Sequence, residues 1–151
     1  MNYILFVLIG LLVALVALMV YVRLAPIKGD VWHKIDLPQG PAGEATGVGS
    51  HTVLRDVINA TAALRQMDEI ILATPRTTRV AGDVNDGKIT YITRTQRVGF
   101  PDYTTVEAQV RDGADMQTLA MYGRLRFGQS DLGVNRARIT GWLAQFDEAN
   151  G

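Results

Sequence analysis

The stretch Met116–Phe146, MQTLAMYGRLRFGQSDLGVNRARITGWLAQF, decides the fold. In its first part Leu119, Met121, Leu125 and Phe127 fall on one side and Thr118, Tyr122, Arg124 and Arg126 on the other, the two-residue period of a half-buried strand. Beyond a corner bounded by Gly128 and Gly133, the residues Leu132, Ile139, Trp142, Leu143 and Phe146 gather on one stripe at helical spacing. The two apolar surfaces can leave water only by packing on each other, which predicts a sheet closed by a C-terminal helix.

Working outward, Ser50 reads as the N-cap of a helix running to about Met67, with Val53, Val57, Ala60 and Leu64 as its buried stripe and Arg55, Asn59 and Gln66 on its wet side. A short apolar run from Glu69 to Ala73 follows, punctuated by Pro75. Two hairpins complete a meander. Thr77–Ala81 and Lys88–Val98 flank Asn85-Asp86-Gly87, and Asp102–Arg111 meets the last strand across Asp112-Gly113, residue types that tolerate the positive φ of tight turns. Four antiparallel strands with helices before and after predict an α+β domain over residues 50–148, a two-layer sandwich.

The N-terminus has another character. Tyr3 to Val22, YILFVLIGLLVALVALMVYV, holds no charge, and about 20 such residues cross the hydrocarbon core as a helix. A transmembrane anchor over residues 1–24 is expected. A cleaved signal peptide fits less well, because no Lys or Arg precedes the run and no small-x-small site follows it. Tyr3, Tyr21 and Arg23 stand where interfacial anchors belong, and Arg23 with Lys28 after the helix places the domain in the cytoplasm by the positive-inside rule. Residues 25–49, with Pro26, Pro38, Pro41 and four glycines between 40 and 49, read as a linker in which Trp32 is either an interfacial anchor or a docking residue.

Composition limits the chemistry. Lys+Arg and Asp+Glu balance at 15 each, which gives no sign of a nucleic-acid partner, and the absence of cysteine excludes disulfides, thiolate nucleophiles and zinc–thiolate sites. The serines are Ser50 and Ser130 and the histidines His33 and His51. Gly-Gln-Ser-Asp-Leu-Gly lacks the spacing and the parallel-sheet setting of a nucleophile elbow, so Ser130 or Asp131 reads as a helix cap. His33, Asp36, His51 and Asp56 share no helix face or tight loop, so no metal site is expected, and no cofactor motif is present. The constellation that stands out is Tyr122, Arg124 and Arg126 on the outward strand face together with Asp131, Asn135, Arg136 and Arg138 at the start of the closing helix. It reads either as a self-paired corner, with Asn135 and Arg136 bound to backbone carbonyls, Asp102 or Asp131, or as an anion or head-group site. On the opposite face of that helix, Ala137, Gly141 and Ala144 form a small-residue strip, a candidate interface.

The runs TRVAGDVNDGKITYITRTQRVGFPDYTTV and YGRLRFGQSDLGVNRARITGWL resemble the domain-of-unknown-function family 1499, and YVRLAP with Trp32-His33 beyond it is similar to its membrane-anchored proteobacterial members. The resemblance covers roughly Tyr21 to Phe146 and is most specific at Gly99-Phe100-Pro101-Asp102 and at the corner from Gly128 to Arg136. It supplies no catalytic residue. Its lipoprotein-like and lumenal members imply an extracytoplasmic, here periplasmic, domain, against the charge rule. The function expected is a non-enzymatic interaction or assembly domain, an accessory subunit of a bacterial inner-membrane complex with a membrane-protein partner. A carrier of a small amphipathic, lipid-like or anionic ligand is the alternative, and an enzyme the third.

Overall fold

The computed structural model describes residues 2–110, 113 and 115–151. An apolar helix, α1 (Asn2–Leu24), leads into the short α2 (Gly29–His33), then β1 (Gly43–Gly47), β2 (Ser50–Val57), α3 (Ala60–Leu72), β3 (Thr77–Asp83), β4 (Lys88–Arg94), β5 (Pro101–Gln109), β6 (Gln117–Leu125) and α4 (Val134–Asn150). The strands form one antiparallel sheet in the order β1-β2-β6-β5-β4-β3. After β2 the chain crosses under the sheet as α3, starts again at the far edge and meanders back until β6 lies beside β2.

The α+β class and the antiparallel meander match the sequence reading, whereas the strand count is six and not four. The first extra strand is β2, where a helix capped by Ser50 was expected. Val53, Val57, Ala60 and Leu64 are spaced by three or four residues, and a step of four fits a period of 2 as well as 3.6, so the stripe did not discriminate. The helix begins only at Ala60, where the Asn59 side chain accepts the Ala62 N–H at 2.9 Å and Gln117 Oε1 accepts the Ala60 N–H at 2.7 Å. The run from Glu69 is the end of this same helix. The second extra strand is β1, inside the stretch read as linker, which pairs with β2 from Gly43↔Leu54 to Gly47↔Ser50.

The other turns fall where the residues put them. Gly87 takes φ 72 in the β3–β4 hairpin, and Asp83 Oδ1 accepts the N–H groups of Asn85 and Asp86. Gly113 takes φ 73 between β5 and β6, while Asp112, the other residue of that expected turn, and Arg111, the expected end of the strand before it, lie outside the described residues.

Helices α3 and α4 cover one face of the sheet. Leu64, Met67 and Ile71 meet Tyr91, Val106, Leu119 and Met121 there, and Ile139, Trp142 and Phe146 close the layer from α4. The expected stripe on α4 holds for these three, with Leu143 partly buried. Leu132 does not belong to it: the helix starts at Val134 and Leu132 is exposed.

The opposite face is covered too, so the domain has three layers. Residues 25–38 cross it as a strap, with Ala25 and Leu37 buried. Its α2 lies against β3 at a bulge between Arg79 and Ala81. Glycine is required on both sides of this contact, since a Cβ at Gly29 would stand 2.3 Å from the Val80 carbonyl oxygen and one at Gly82 would meet the His33 ring at 2.7 Å.

Candidate functional site

The sheet divides the polar constellation read from the sequence. Tyr122, Arg124 and Arg126 lie on the strap face, whereas Asp131, Asn135, Arg136 and Arg138 lie on the helix side.

On the strap face, β6 delivers Arg124 to the centre of the covered area, where it is 7% exposed and has no carboxylate within ion-pair distance among the described residues. A buried cation needs other partners. Arg124 donates to Thr105 Oγ1 at 3.0 Å and to the carbonyls of Tyr122 and Trp32. Its guanidinium also sits 5.0 Å from the Tyr122 ring and 5.4 Å from the Trp32 ring. Burial lowers its pKa, against the influence of Tyr122 and Tyr103. Trp32 stacks on Tyr103 at 4.3 Å with the rings parallel, which settles its reading as a docking residue. A hydroxyl chain continues from Thr105 to Thr90 to His33 Nδ1, each link 2.9 Å. Arg126 donates to the Pro26 carbonyl at 2.9 Å, and Lys88 and Gln109 donate to the carbonyls of Ile35 and Pro38. These side chains use the strap's backbone as their acceptors.

On the helix side the polar groups converge on Gly123. A Cβ there would stand 3.0 Å from both Asn135 Oδ1 and Ile139 Cδ1, so the glycine lets α4 approach β6. In register with it are His51 on β2 and Thr104 on β5. His51 Nε2, Thr104 Oγ1 and Asn135 Nδ2 are buried there without a hydrogen-bond partner. Asn135 Oδ1 accepts from Arg138 at 3.1 Å, and Arg138 pairs with Asp102 at 3.1 Å. Burial raises the Asp102 pKa and Arg138 opposes the rise. The N-cap residue of α4 is Gly133, and the Asp131 carboxylate reaches past it to accept the first-turn N–H of Asn135: burial pushes this carboxyl up, but hydrogen bonds from the backbone N–H groups of Asn135 and Gly133 outweigh this and hold it below the usual carboxylate value. Arg136 is exposed and meets Glu44 at 3.6 Å, not Asp102 or Asp131. Glu44 also lies 3.6 Å from His51, whose pKa burial lowers despite that carboxylate. Ala137, Gly141 and Ala144 are exposed, and nothing lies within 4 Å of a Cβ placed at Gly141.

Sequence reading missed His51, Thr104, Asp102 and Gly123 as one group because they come from three strands, and only the register brings them together. A weak signal was present in Gly123, a glycine inside an otherwise clean strand, which marks close approach of another element. Among the described residues no cluster of three His, Asp or Glu side chains could hold a metal ion.

Fold and site define a class: a small α+β domain behind one helix long and apolar enough to cross a membrane. Residues 51–146 match the family described as Protein of unknown function (DUF1499), and the chain belongs to that family. None of the curated proteins matches it.

Proposed function

We propose that the chain is a single-pass protein of the bacterial inner membrane whose domain is a non-enzymatic interaction module, an accessory subunit that binds a membrane-protein partner. The observation that carries this reading is the seam between α1 and the domain. Val22 and Ala25 are buried, the Tyr21 ring meets Phe127 edge-on at 6.3 Å, and the strap that follows roofs Arg124 and Tyr103. A segment that supplies part of the domain's own cover belongs to the working protein, which favours a retained anchor over a cleaved signal. It also holds the domain at a set angle to the bilayer, as an assembly subunit requires.

The end remote from α1 offers a contact surface, an open groove of about 600 Å³ lined by Ile58, Ala62, Met116 and Phe146, with Ile58 83% exposed. The carrier alternative requires space between sheet and helices, and that layer is filled by Leu64, Met67, Ile71, Tyr91 and Met121. The periplasmic side is favoured by the resemblance described above. Alkaline phosphatase and fluorescent-protein fusions after Gly151 test it, and fluorescence without phosphatase activity would place the domain in the cytoplasm.

Extraction of the full chain in mild detergent, followed by native mass measurement, tests the function. The expected particle contains a second membrane protein in fixed ratio, which Ile58→Glu removes while the variant stays folded. A particle of this chain alone, or a complex indifferent to Ile58→Glu, would overturn the reading as stated.

A further inference from the structure

The end of the sheet beside α1 differs from the other end in charge and backbone conformation. Register identifies what lies there. Arg94 pairs with Pro101, Asp102 with Leu125, Ser50 with both Arg124 and Gly47, so the β4–β5 loop, the corner after β6 and the β1–β2 turn share one edge of the domain. The loop before β3 joins them, because Arg76 Nε donates to the Arg94 carbonyl. This edge meets the last turn of α1 through the Tyr21–Phe127 contact, and the Arg23 side chain lies close enough to Gly99 that a Cβ there would stand 3.4 Å from it. A 23-residue helix is about 35 Å long, close to the thickness of the hydrocarbon core. When α1 spans a bilayer its last turn lies at the interface, and Phe127 and Gly99 lie at that depth with it.

What this edge presents is suited to lipid. Leu132 is 91% exposed and Val48 75%, with Phe100 also exposed. Arg76 and Arg97, on the loops before β3 and between β4 and β5 of the same edge, are exposed as well. The acids nearby turn inward, Asp102 to Arg138 and Asp131 to the N-terminus of α4. The remote end also exposes apolar side chains, Ile58, Val110 and Met116, but it sets them among the exposed acids Asp56, Asp86 and Asp115. Among the described residues, the non-glycine residues with positive φ are Arg76 at 60° and Leu132 at 52°, and both are on the α1 edge. A leucine held in that sparsely allowed region and pointed into solvent gains nothing from the domain's own core. The Asp131 and Ser130 side chains, accepting from Gly133, Asn135 and Leu132 N–H groups, keep it there.

We propose that this edge is a membrane-docking surface: Leu132, with Phe100 and Val48, enters the interfacial region of the same bilayer that α1 spans, and Arg76 and Arg97 bind anionic lipid phosphates. The inference rests on α1 being an anchor, and the test separates the two. The chain has no cysteine, so Leu12→Cys, Leu132→Cys and Ile58→Cys each carry one environment-sensitive fluorophore in the full chain. The chains are reconstituted in nanodiscs of neutral lipid, or of neutral lipid with phosphatidylglycerol, and quenched by brominated acyl chains. The expected result is strong quenching at 12, and quenching at 132 several-fold above that at 58, which rises with phosphatidylglycerol and loses the rise in Arg76→Glu/Arg97→Glu. Quenching at 12 with 132 no different from 58 overturns the docking surface and leaves the anchor. Absence of quenching at 12 overturns the anchor, and the docking surface with it. Insertion at 132 indifferent to phosphatidylglycerol overturns the assignment of the arginines.

Discussion

The two faces of the sheet are built from the same strands and buried by opposite means. Under α3 and α4 the cover is mainly apolar side chain on apolar side chain, non-directional and close-packed, with the polar group of His51, Thr104, Asn135, Arg138 and Asp102 set beside the start of α4. Under the strap the buried residues include Thr90, Thr105, Tyr103 and Arg124, and the cover combines the Trp32 and His33 rings and the buried Ala25 and Leu37 with a row of backbone carbonyls. The first face is specified by hydrophobic volume. The second is specified by hydrogen bonds, which pair only when the 25–38 segment lies in register across it. The helix face therefore makes the domain stable, while the strap face determines how the apolar helix α1 is attached.

The comparison breaks first at its stronger side. Trp142 is 2% exposed and its indole N–H donates to Thr74 Oγ1 at 2.7 Å. Trp142→Ala is expected to cost about 3–5 kcal/mol, enough to unfold a marginal domain. Thermal melts of the full chain in detergent check this, and a variant melting within a degree or two of wild type would show that α4 contributes little to the core.

This apolar face was the legible one. Alternation in β6 and the Ile139, Trp142 and Phe146 spacing in α4 report burial directly, because an apolar side chain has one preferred environment. The strap face was not legible, because threonine and arginine at outward positions are what a wet strand also carries. Nothing in Arg124 itself says that a tryptophan from 92 residues earlier covers it. The same ambiguity hid β1, whose residues Gly43–Gly47 are all exposed and resemble a loop until an edge strand is needed. For the site, the polar residues of the 116–146 stretch were legible as a set, but strand alternation placed them on opposite sides of the sheet, and their partners on β2 and β5 lay beyond reach of local pattern.

A smaller effect tests whether the strap is structural cover or a passive linker. Trp32 is half-buried, stacked on Tyr103 and set over Arg124. Trp32→Ala is expected to cost about 2 kcal/mol, between a surface change and a full core truncation, and to leave the Arg124 guanidinium open to solvent. A change within about 0.5 kcal/mol, the range of ordinary surface substitutions, would return residues 25–38 to the status of linker. Urea titration of wild type and variant in the same detergent measures it.

The smallest effect compares the faces through their histidines, since each face holds one. His33 bonds Thr90 under the strap and His51 bonds Thr46 beside α4. Burial lowers both pKa values from the ordinary 6.5, Lys88 adding to the shift at His33 and Glu44 opposing it at His51. A folded-state pKa below the unfolded value means that the unfolded chain binds more protons in the intervening window. Stability from both groups is therefore complete above about pH 6.5 and is lost as pH falls through the lowered folded values. Melting temperatures between pH 7.5 and 5 should fall in wild type, and the fall should be smaller in His33→Gln and in His51→Gln. Carboxylates titrating in the same range are common to all three proteins and cancel in the difference. If His33→Gln leaves the slope unchanged while His51→Gln reduces it, the strap admits water around its histidine and only the helix face is closed. The reverse result would show that Glu44 stabilises a charged His51 despite its burial, and that the edge strand β1, not α4, governs the protonation of that face.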